Sequence, residues 1–333
     1  MNTTVIIPNY NGAHFLTPCL EALKNQTVQP AEIIVVDNGS HDESLSLLET
    51  SWPSVRVIAN GDNLGFAAAV NIGIRASSTP YVLLLNNDTE AEPGMIEYLE
   101  QAMRRNPRAF SAASKMVQLC NPDYLDSTGD LYTVVGWGVN RGQGRPSTLY
   151  SRPANVFSAC AGAAIYRRKV FEKIGYFDEK HFAYLEDIDV GWRARVHGYR
   201  NVYEPKAVVR HVGSGTSGSK YNSFKVHLSA RNSVWLNYKN MPNLQLIVNA
   251  VPLALGYIVK AGFFIHKGFA RDYLRGIKEG VKTCRECERI PFTPRHFLSC
   301  LLIQLELNIN FILYVIDWLR RKSEEHRQRR STR

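Results

Sequence analysis

The sequence predicts an α/β protein: a doubly wound, mostly parallel sheet followed by a C-terminal α-helical extension. Three observations point there. Short β-branched runs alternate with amphipathic stretches through the first half of the chain. A loop rich in Asn, Asp and Gly follows each of the first four runs. Two long apolar stretches, 244–267 and 297–319, lie near the C-terminus.

Taken in order, residues 4–7, 32–36, 55–59 and 81–85 read as buried strands. Residues 15–25, 42–50 and 67–76 read as the helices between them. The second helix is preceded by Ser40-x-x-Glu43, the spacing of a capping box that satisfies free backbone N–H groups. Strand-helix-strand alternation of this length implies right-handed crossovers and parallel pairing. Ligands of such sheets bind beyond the carboxyl ends of the strands. The candidate positions are therefore Pro8-Asn9-Tyr10-Asn11-Gly12, Asp37-Asn38-Gly39-Ser40, Asn63-Leu64-Gly65-Phe66 and Asn86-Asn87-Asp88. Turn chemistry alone favours these residue types, but four such loops converging on one sheet edge favour a binding site. No G-x-G-x-x-G follows the first strand and no G-x-x-x-x-G-K occurs, which argues against a dinucleotide fold and a P-loop.

The middle of the chain has a different texture. Cys160, Ala161, Gly162, Ala163 and Ala164 form a small-residue run, suited to close backbone approach or tight strand packing. Residues 168–174 read as a short helix. A second helix begins near Glu186-Asp187-Ile188-Asp189, with Ile188 and Trp192 on its buried face and Gly198 as its C-terminal cap. Its acids precede Arg193 and Arg195, which suits the helix dipole.

Further on, residues 221–239 read as a helix containing Arg231-Asn232, followed by Pro242. In 244–267, Asn249, Gly256, Lys260 and Lys267 recur at helical spacing; in 297–319, Ser299, Glu306, Asn310 and Asp317 do the same. Each stretch is a helix with a narrow polar stripe and a broad apolar face. Both approach the roughly 20 residues of a membrane span, but Pro252, Lys260, Glu306 and Asp317 make a clean crossing costly. The preferred reading is helices lying in a membrane interface; a buried bundle or an oligomer contact is the alternative. Residues 320–333 read as a solvated, frayed tail.

Composition fits. Of 333 residues, 45% are hydrophobic and 21% charged, which is globular and excludes a disordered or fibrous chain. Six scattered cysteines make no disulfide scaffold, and the lone Cys284-x-x-Cys287 lacks the second pair of a zinc ribbon. A reducing cytoplasm is the simpler compartment, and no basic-then-apolar leader opens the chain. The net charge of +10 is uneven: residues 1–240 carry 24 Lys and Arg against 22 Asp and Glu, and 241–333 carry 16 against 8. The basic surplus thus sits on the apolar C-terminal quarter. There it suits an anionic membrane surface better than nucleic acid, for which no motif is present.

The ordered set of loops, with Glu186-Asp187-x-Asp189 and His211, closely resembles the inverting GT-A glycosyltransferases of family 2. The likeness is nearest to the bacterial rhamnosyltransferase-like branch that builds surface polysaccharides, and it covers about residues 3–240. It implies a GT-A catalytic domain over 1–215 and a membrane-facing or oligomerising extension over 216–333. The implied reaction is inverting transfer of a sugar from a dTDP- or UDP-linked donor to a glycan or polyprenyl-linked acceptor. L-Rhamnose from dTDP-rhamnose is the first choice and a UDP-hexose the second. The implied location is the cytoplasmic face of the inner membrane. A nucleotidyltransferase would want a cation in the first loop, where 8–12 has none, and an anionic-polymer binding module has only the basic tail in its favour.

The resemblance also implies a role for each site residue. Asp37 accepts the imide N–H of uracil or thymine, and Pro8, Asn9 and Tyr10 frame the base edge and ribose, with Asn11, Asn63, Gly65, Asn86 and Asn87 completing the nucleotide site. Asp88 and His211 hold Mg²⁺ or Mn²⁺ on the donor diphosphate. Where the family often has two acids, this chain has Asn86 and Asn87 before Asp88, so the metal site is weak and assembles with donor bound. Asp187 is the general base, its pKa held low by the helix N-terminus. Glu186 binds the acceptor or supports Asp187, and Asp189 pairs with Arg193 on the surface. The Gly- and Ser-rich loop 213–219 reads as a lid over the diphosphate or as a plain linker.

Overall fold

The computed structural model describes residues 2–213 and 221–331. Apart from Gly213, the loop expected as a lid lies outside the described residues, as does the very end of the basic tail.

The first half runs β1 (Thr3–Asn9), α1 (Ala13–Lys24), β2 (Glu32–Asp37), α2 (Ser44–Ser51), β3 (Arg56–Ala59), α3 (Phe66–Ala76) and β4 (Tyr81–Leu85). Strand β1 pairs in parallel with both β2 and β4, and β2 with β3. The order β3-β2-β1-β4 means that the chain changes direction across the sheet at β1, leaving a crevice beyond its carboxyl end. Alternation sets the two faces. Val5, Ile7, Leu83 and Leu85 pack with Leu16 and Leu20 of α1, while Ile6, Val82 and Leu84 pack with Val70 and Ile74 of α3.

The second half is β5 (Thr89–Ala91), α4 (Met95–Arg105), β6 (Ala109–Gln118), β7 (Leu125–Ser127), β8 (Asp130–Tyr132), β9 (Gly138–Asn140), β10 (Ala154–Val156), β11 (Ala163–Arg167), α5 (Arg168–Ile174), α6 (Glu186–Val196) and β12 (Arg200–His211). Here the sheet becomes mixed. Strand β11 is antiparallel to β4 and β6, whereas β12 runs parallel to β6. The small-residue run is thus partly strand: Ala163 and Ala164 pair with Leu85 and Leu84.

Two local expectations change. Strand β3 is an edge with Val57 exposed, not a buried strand, because among the described residues no further strand pairs with its outer side. The capping box at Ser40 does not form. Ser40 Oγ instead accepts from Asn9 Nδ2 at 3.2 Å and from the Asn11 N–H at 2.9 Å, and Asp42 accepts from the Ser44 N–H at 3.0 Å. Tertiary partners outbid the local cap.

The chain continues as α7 (Ser223–Asn240), α8 (Asn243–His266), α9 (Ala270–Thr283) and α10 (Phe297–Ser331). These helices share a core with the sheet domain: Tyr132, Phe157, Ile188 and Trp192 pack with Leu236, Leu253, Ile303 and Leu307. The tip of the β8–β9 hairpin lies against α8 and α10. Trp137 Nε1 donates to the Gly256 carbonyl at 3.1 Å, and the Val134 N–H to the Leu307 carbonyl at 3.1 Å.

Helices α8 and α10 are inside out relative to an ordinary surface helix. Their polar stripes face the protein. Asn249 and Gln304 exchange amide hydrogen bonds at 2.7 and 2.8 Å, Asn310 donates to the Tyr132 carbonyl at 3.0 Å, and Glu306 pairs with Arg195. Their apolar faces point outward: Leu244, Ile247 and Val251 are each about 70% exposed, and Leu302, Leu305, Ile309 and Ile312 more than half. Only 17% of the most apolar window of either helix is buried.

Candidate active site

The four polar loops do converge. Beyond the carboxyl ends of β1 and β4 lies a cleft of about 730 Å³, within the range of small-molecule sites. Pro8, Asn9, Tyr10, Asn63, Gly65, Asn86, Asn87, Asp88, Glu186, Asp187 and His211 all line it. Asp37 and Asn11 do not. Asp37 is 1% exposed and stands one layer back. Its Oδ2 accepts from Asn9 Nδ2 at 2.9 Å and its Oδ1 from the Ser40 N–H at 2.9 Å. Asn11 has φ 50° and turns its amide oxygen to the His41 N–H at 2.8 Å.

Asn9 ties the first and fourth loops together. Its Oδ1 accepts from Asn87 Nδ2 at 2.7 Å while its Nδ2 reaches Asp37. Gly12 leaves room for that pair, since a Cβ there would lie 2.1 Å from Asn87 Nδ2. Asn38 performs the same service for the third loop. It donates to Asn63 Oδ1 at 2.9 Å and the Gly65 carbonyl at 3.2 Å, and accepts from the Leu64 N–H at 3.3 Å. The buried Asn9, Asn38 and Asn87 thus anchor hydrogen bonds between loops that fix loop shape.

Asp88 and His211 meet because β5 pairs antiparallel with the end of β12, setting His211 opposite Thr89. His211 Nε2 is 3.3 Å from Asp88 Oδ1, and its Nδ1 is 2.7 Å from Asp126 Oδ2. Burial lowers the imidazole pKa, but the Asp126 and Asp88 carboxylates outweigh it and push the value up to about 9. A carboxylate and an imidazole with a second carboxylate behind it is a donor set that fits a divalent cation. Asp126 holds the far ring nitrogen, so Nε2 is the atom that would face a cation, after giving up its proton. Among the described residues no group of three or more His, Cys, Asp or Glu is arranged to hold an ion alone. With two protein ligands, such a cation would take its other donors from phosphate oxygens and water, as Mg²⁺ usually does.

In the same cleft, Asp187 lies in the first turn of α6. Its Oδ1 accepts from the Ile188 N–H at 2.7 Å and its Oδ2 from the Ala161 N–H at 3.4 Å. The expected low pKa is corrected. Burial pushes Asp187 up to about 6, against backbone hydrogen bonds that pull it down. Glu186 and Asp130 lie in the same cleft, and burial together with the Asp187 charge raises both well above the carboxylate range. Glu186 Oε2 is buried with no hydrogen-bond partner among the described residues. Asp187 is thus the acid of this group that ionises near neutrality, as a base should.

Asp189 is also corrected. It is fully buried, not on the surface. Its Oδ2 is 3.0 Å from both Arg193 and Lys239, and its Oδ1 accepts from Asn240 Nδ2 at 2.8 Å.

Several lining residues carried no signal in the sequence. Asp126 and Asp130 lie in a Gly-rich stretch without periodicity. Phe182 and Tyr184, from the turn before α6, and Phe224 and Lys225, from the first turn of α7, also line the cleft.

Comparison with known proteins agrees with this architecture. The model of glycosyl transferase family 2 matches residues 4–175. An N-acetylglucosaminyl-diphospho-decaprenol L-rhamnosyltransferase of Mycobacterium tuberculosis is 28% identical over 266 residues, which are 69% of this chain and 85% of that protein. The O-antigen chain rhamnosyltransferase RfbN of Salmonella typhimurium is 25% identical over 242 residues, 67% of this chain and 70% of its own length. Among solved structures, GalNAc-T7 with UDP, GalNAc and Mn²⁺ superposes with a TM-score of 0.58 at 16% identity, covering 71% of this chain and 47% of that one. This last likeness is one of fold, and the chain spans about half the length of that neighbour.

Proposed function

The chain belongs to glycosyl transferase family 2, and from that membership we propose that it transfers L-rhamnose from dTDP-rhamnose, with inversion, to a hydroxyl of a polyprenyl-linked glycan in surface polysaccharide synthesis. The observation that carries the reading is the cleft itself, beyond the β1–β4 crevice, which Asp187 and the Asp88–His211 pair both line. The choice of sugar and acceptor is supported by the names of the mycobacterial and Salmonella relatives.

In this mechanism the base and ribose of the donor lie along Pro8, Asn9 and Tyr10, with Asn63 and Gly65 beside them. Asp37 stiffens that edge through Asn9 from one layer behind it. Asp88 and His211 would hold a divalent cation, Mg²⁺ or Mn²⁺, which when bound would supply electrostatic stabilisation to the charge on the departing diphosphate. Asp187 takes the proton of the acceptor hydroxyl as that oxygen attacks the anomeric carbon. One in-line displacement inverts the configuration and leaves no covalent intermediate. Glu186 sits beside the base, where a protonated carboxyl can donate to the acceptor.

The catalytic unit on this reading is 1–215, with 216–333 as its membrane-facing extension. The outward apolar faces of α8 and α10, with the basic surplus of 241–333, support attachment to an anionic membrane at its cytoplasmic face. The test is a donor screen with a lipid-linked glycan as acceptor. Release of dTDP from dTDP-rhamnose, dependent on acceptor and Mn²⁺ or Mg²⁺, is expected. Turnover of UDP-hexoses alone would replace the donor, and no turnover of any nucleotide sugar would overturn the reading.

A further inference from the structure

Five non-glycine residues among those described have positive φ, and three of them, Phe182, Tyr184 and Leu185, fall just before Glu186. Phe182, at φ 63° and ψ −63°, is the centre of a γ-turn closed by the Ala183 N–H on the His181 carbonyl at 2.7 Å. That turn is of the rare, strained kind. Leu185, at φ 69° and ψ 1°, is the left-handed residue from which α6 starts. Bulky side chains disfavour such backbone. It persists only where its surroundings over-determine it, and it concentrates at active sites.

Helix α7 supplies the surroundings. Asn232 is fully buried, and its Nδ2 donates toward three carbonyls of the strained turn: His181 at 3.0 Å, Ala183 at 2.9 Å and Tyr184 at 2.9 Å. Arg231 Nη2 adds bonds to the Lys180 and His181 carbonyls at 3.2 Å each. Arg231 Nε also donates to Asn232 Oδ1 at 3.0 Å, which turns the NH₂ of the amide toward the turn. From the other side, the Ala67 N–H donates to the Phe182 carbonyl at 3.2 Å. The Phe182 ring lies over Gly65, where a Cβ would come within 2.7 Å of it. The turn is therefore a shared wall. One side carries the 63–67 loop, and its end starts the helix that presents Glu186 and Asp187.

We propose that Asn232 is a positioning residue for transfer. It does not line the cleft. It holds the 181–185 backbone in its strained form, which sets Asp187 relative to the loop at Asn63 and Gly65. The proposal rests on the reading of Asp187 as base and of that loop as donor-binding.

The test uses the full chain and follows rhamnosyl transfer, dTDP binding and thermal melting together. Asn232→Ala is expected to lower kcat about 10–100-fold, the scale of a small misplacement of reacting groups. It should leave the dTDP Kd and the acceptor KM within about twofold. Adding Leu185→Gly, which accepts positive φ without strain, should recover part of the lost kcat. If Asn232→Ala does not fold, Asn232→Ser, which keeps one donor, is measured in its place against the same criteria. A purely structural role would lower the melting temperature and leave kcat per folded molecule unchanged, and that result would overturn the proposal. So would a kcat loss that Leu185→Gly does not relieve. Asp187→Asn separates the two readings. If it remains active, the base assignment fails; if it is inactive while Asn232→Ala matches the parent, only the positioning role fails.

Discussion

Lys239 Nζ lies 3.0 Å from Asp189 Oδ2 inside the protein, joining α7 to the helix that carries Asp187. The same lysine reaches Asp178 at 2.7 Å, and Asp189 also holds Arg193. Asp189→Ala would leave buried Lys239 with Asp178 as its carboxylate and buried Arg193 to the carbonyls of Ile174, Gly175 and Tyr176. Breaking a buried pair this way costs about 3–5 kcal/mol, and urea unfolding at neutral pH should read a loss of that size. Burial opposes ionisation of Asp189, but Lys239 and Arg193 overcome it and hold the carboxyl well below its usual range. Its stabilisation is therefore complete above the unfolded value of about 4 and is lost as pH falls below that. The parent should lose stability more steeply in acid than Asp189→Ala does.

Asp187→Asn should abolish transfer while dTDP still binds, since the amide keeps the shape but cannot take a proton. A loss of roughly 10²–10⁴-fold is the usual worth of a positioned base. The parent should also slow as pH drops through about 6, the value to which burial raises this carboxyl. A rate flat from pH 7 to pH 5 would remove Asp187 from the role.

At the cation site, Asp88→Ala should remove the gain in dTDP affinity that Mn²⁺ confers, measured by calorimetry with and without the ion. Asp126→Asn acts more gently. Asp126 orients His211 from behind at 2.7 Å, and loss of such a partner typically weakens metal affinity about 10–100-fold. Equal Mn²⁺ dependence in all three proteins would reject the site.

Membrane attachment is tested with point changes. Truncation at 241 would take Leu253, Ile303 and Leu307 out of a core shared with Trp192, so it would unfold more than an anchor. Ile247 and Leu302 are 71% and 54% exposed, so Ile247→Glu with Leu302→Glu leaves the core intact. The parent should sediment with phosphatidylglycerol vesicles, less so at high salt, and the double variant should stay in the supernatant. A parent that ignores vesicles but is a dimer, split by the same changes, would make this face an oligomer contact instead.

The sheet half of the fold was legible because its signals are local. Alternation placed β1, β2 and β4 to within a residue or two, and the loops after them did gather in one cleft. The stripes on 244–267 and 297–319 were also legible as stripes. Spacing alone did not say that Asn249, Gln304 and Asn310 turn inward while Leu and Ile turn out. Asp189 and Arg193 were paired correctly at i,i+4 but placed on the surface, because nothing at that position announces that α7 will cover it.

By itself the sequence determined which residue types stand at the strand ends, which is a matter of hydrophobic period and turn chemistry, and the family those loops resemble. Only the tertiary structure decided which of them face the cleft. It set Asp37 behind Asn9, brought Asp126 up to His211, and raised Asp187 where the helix terminus alone would have lowered it. The physical reason is range. Period and capping act over a few residues, whereas burial and charge contact depend on what chain segments a hundred positions away happen to cover.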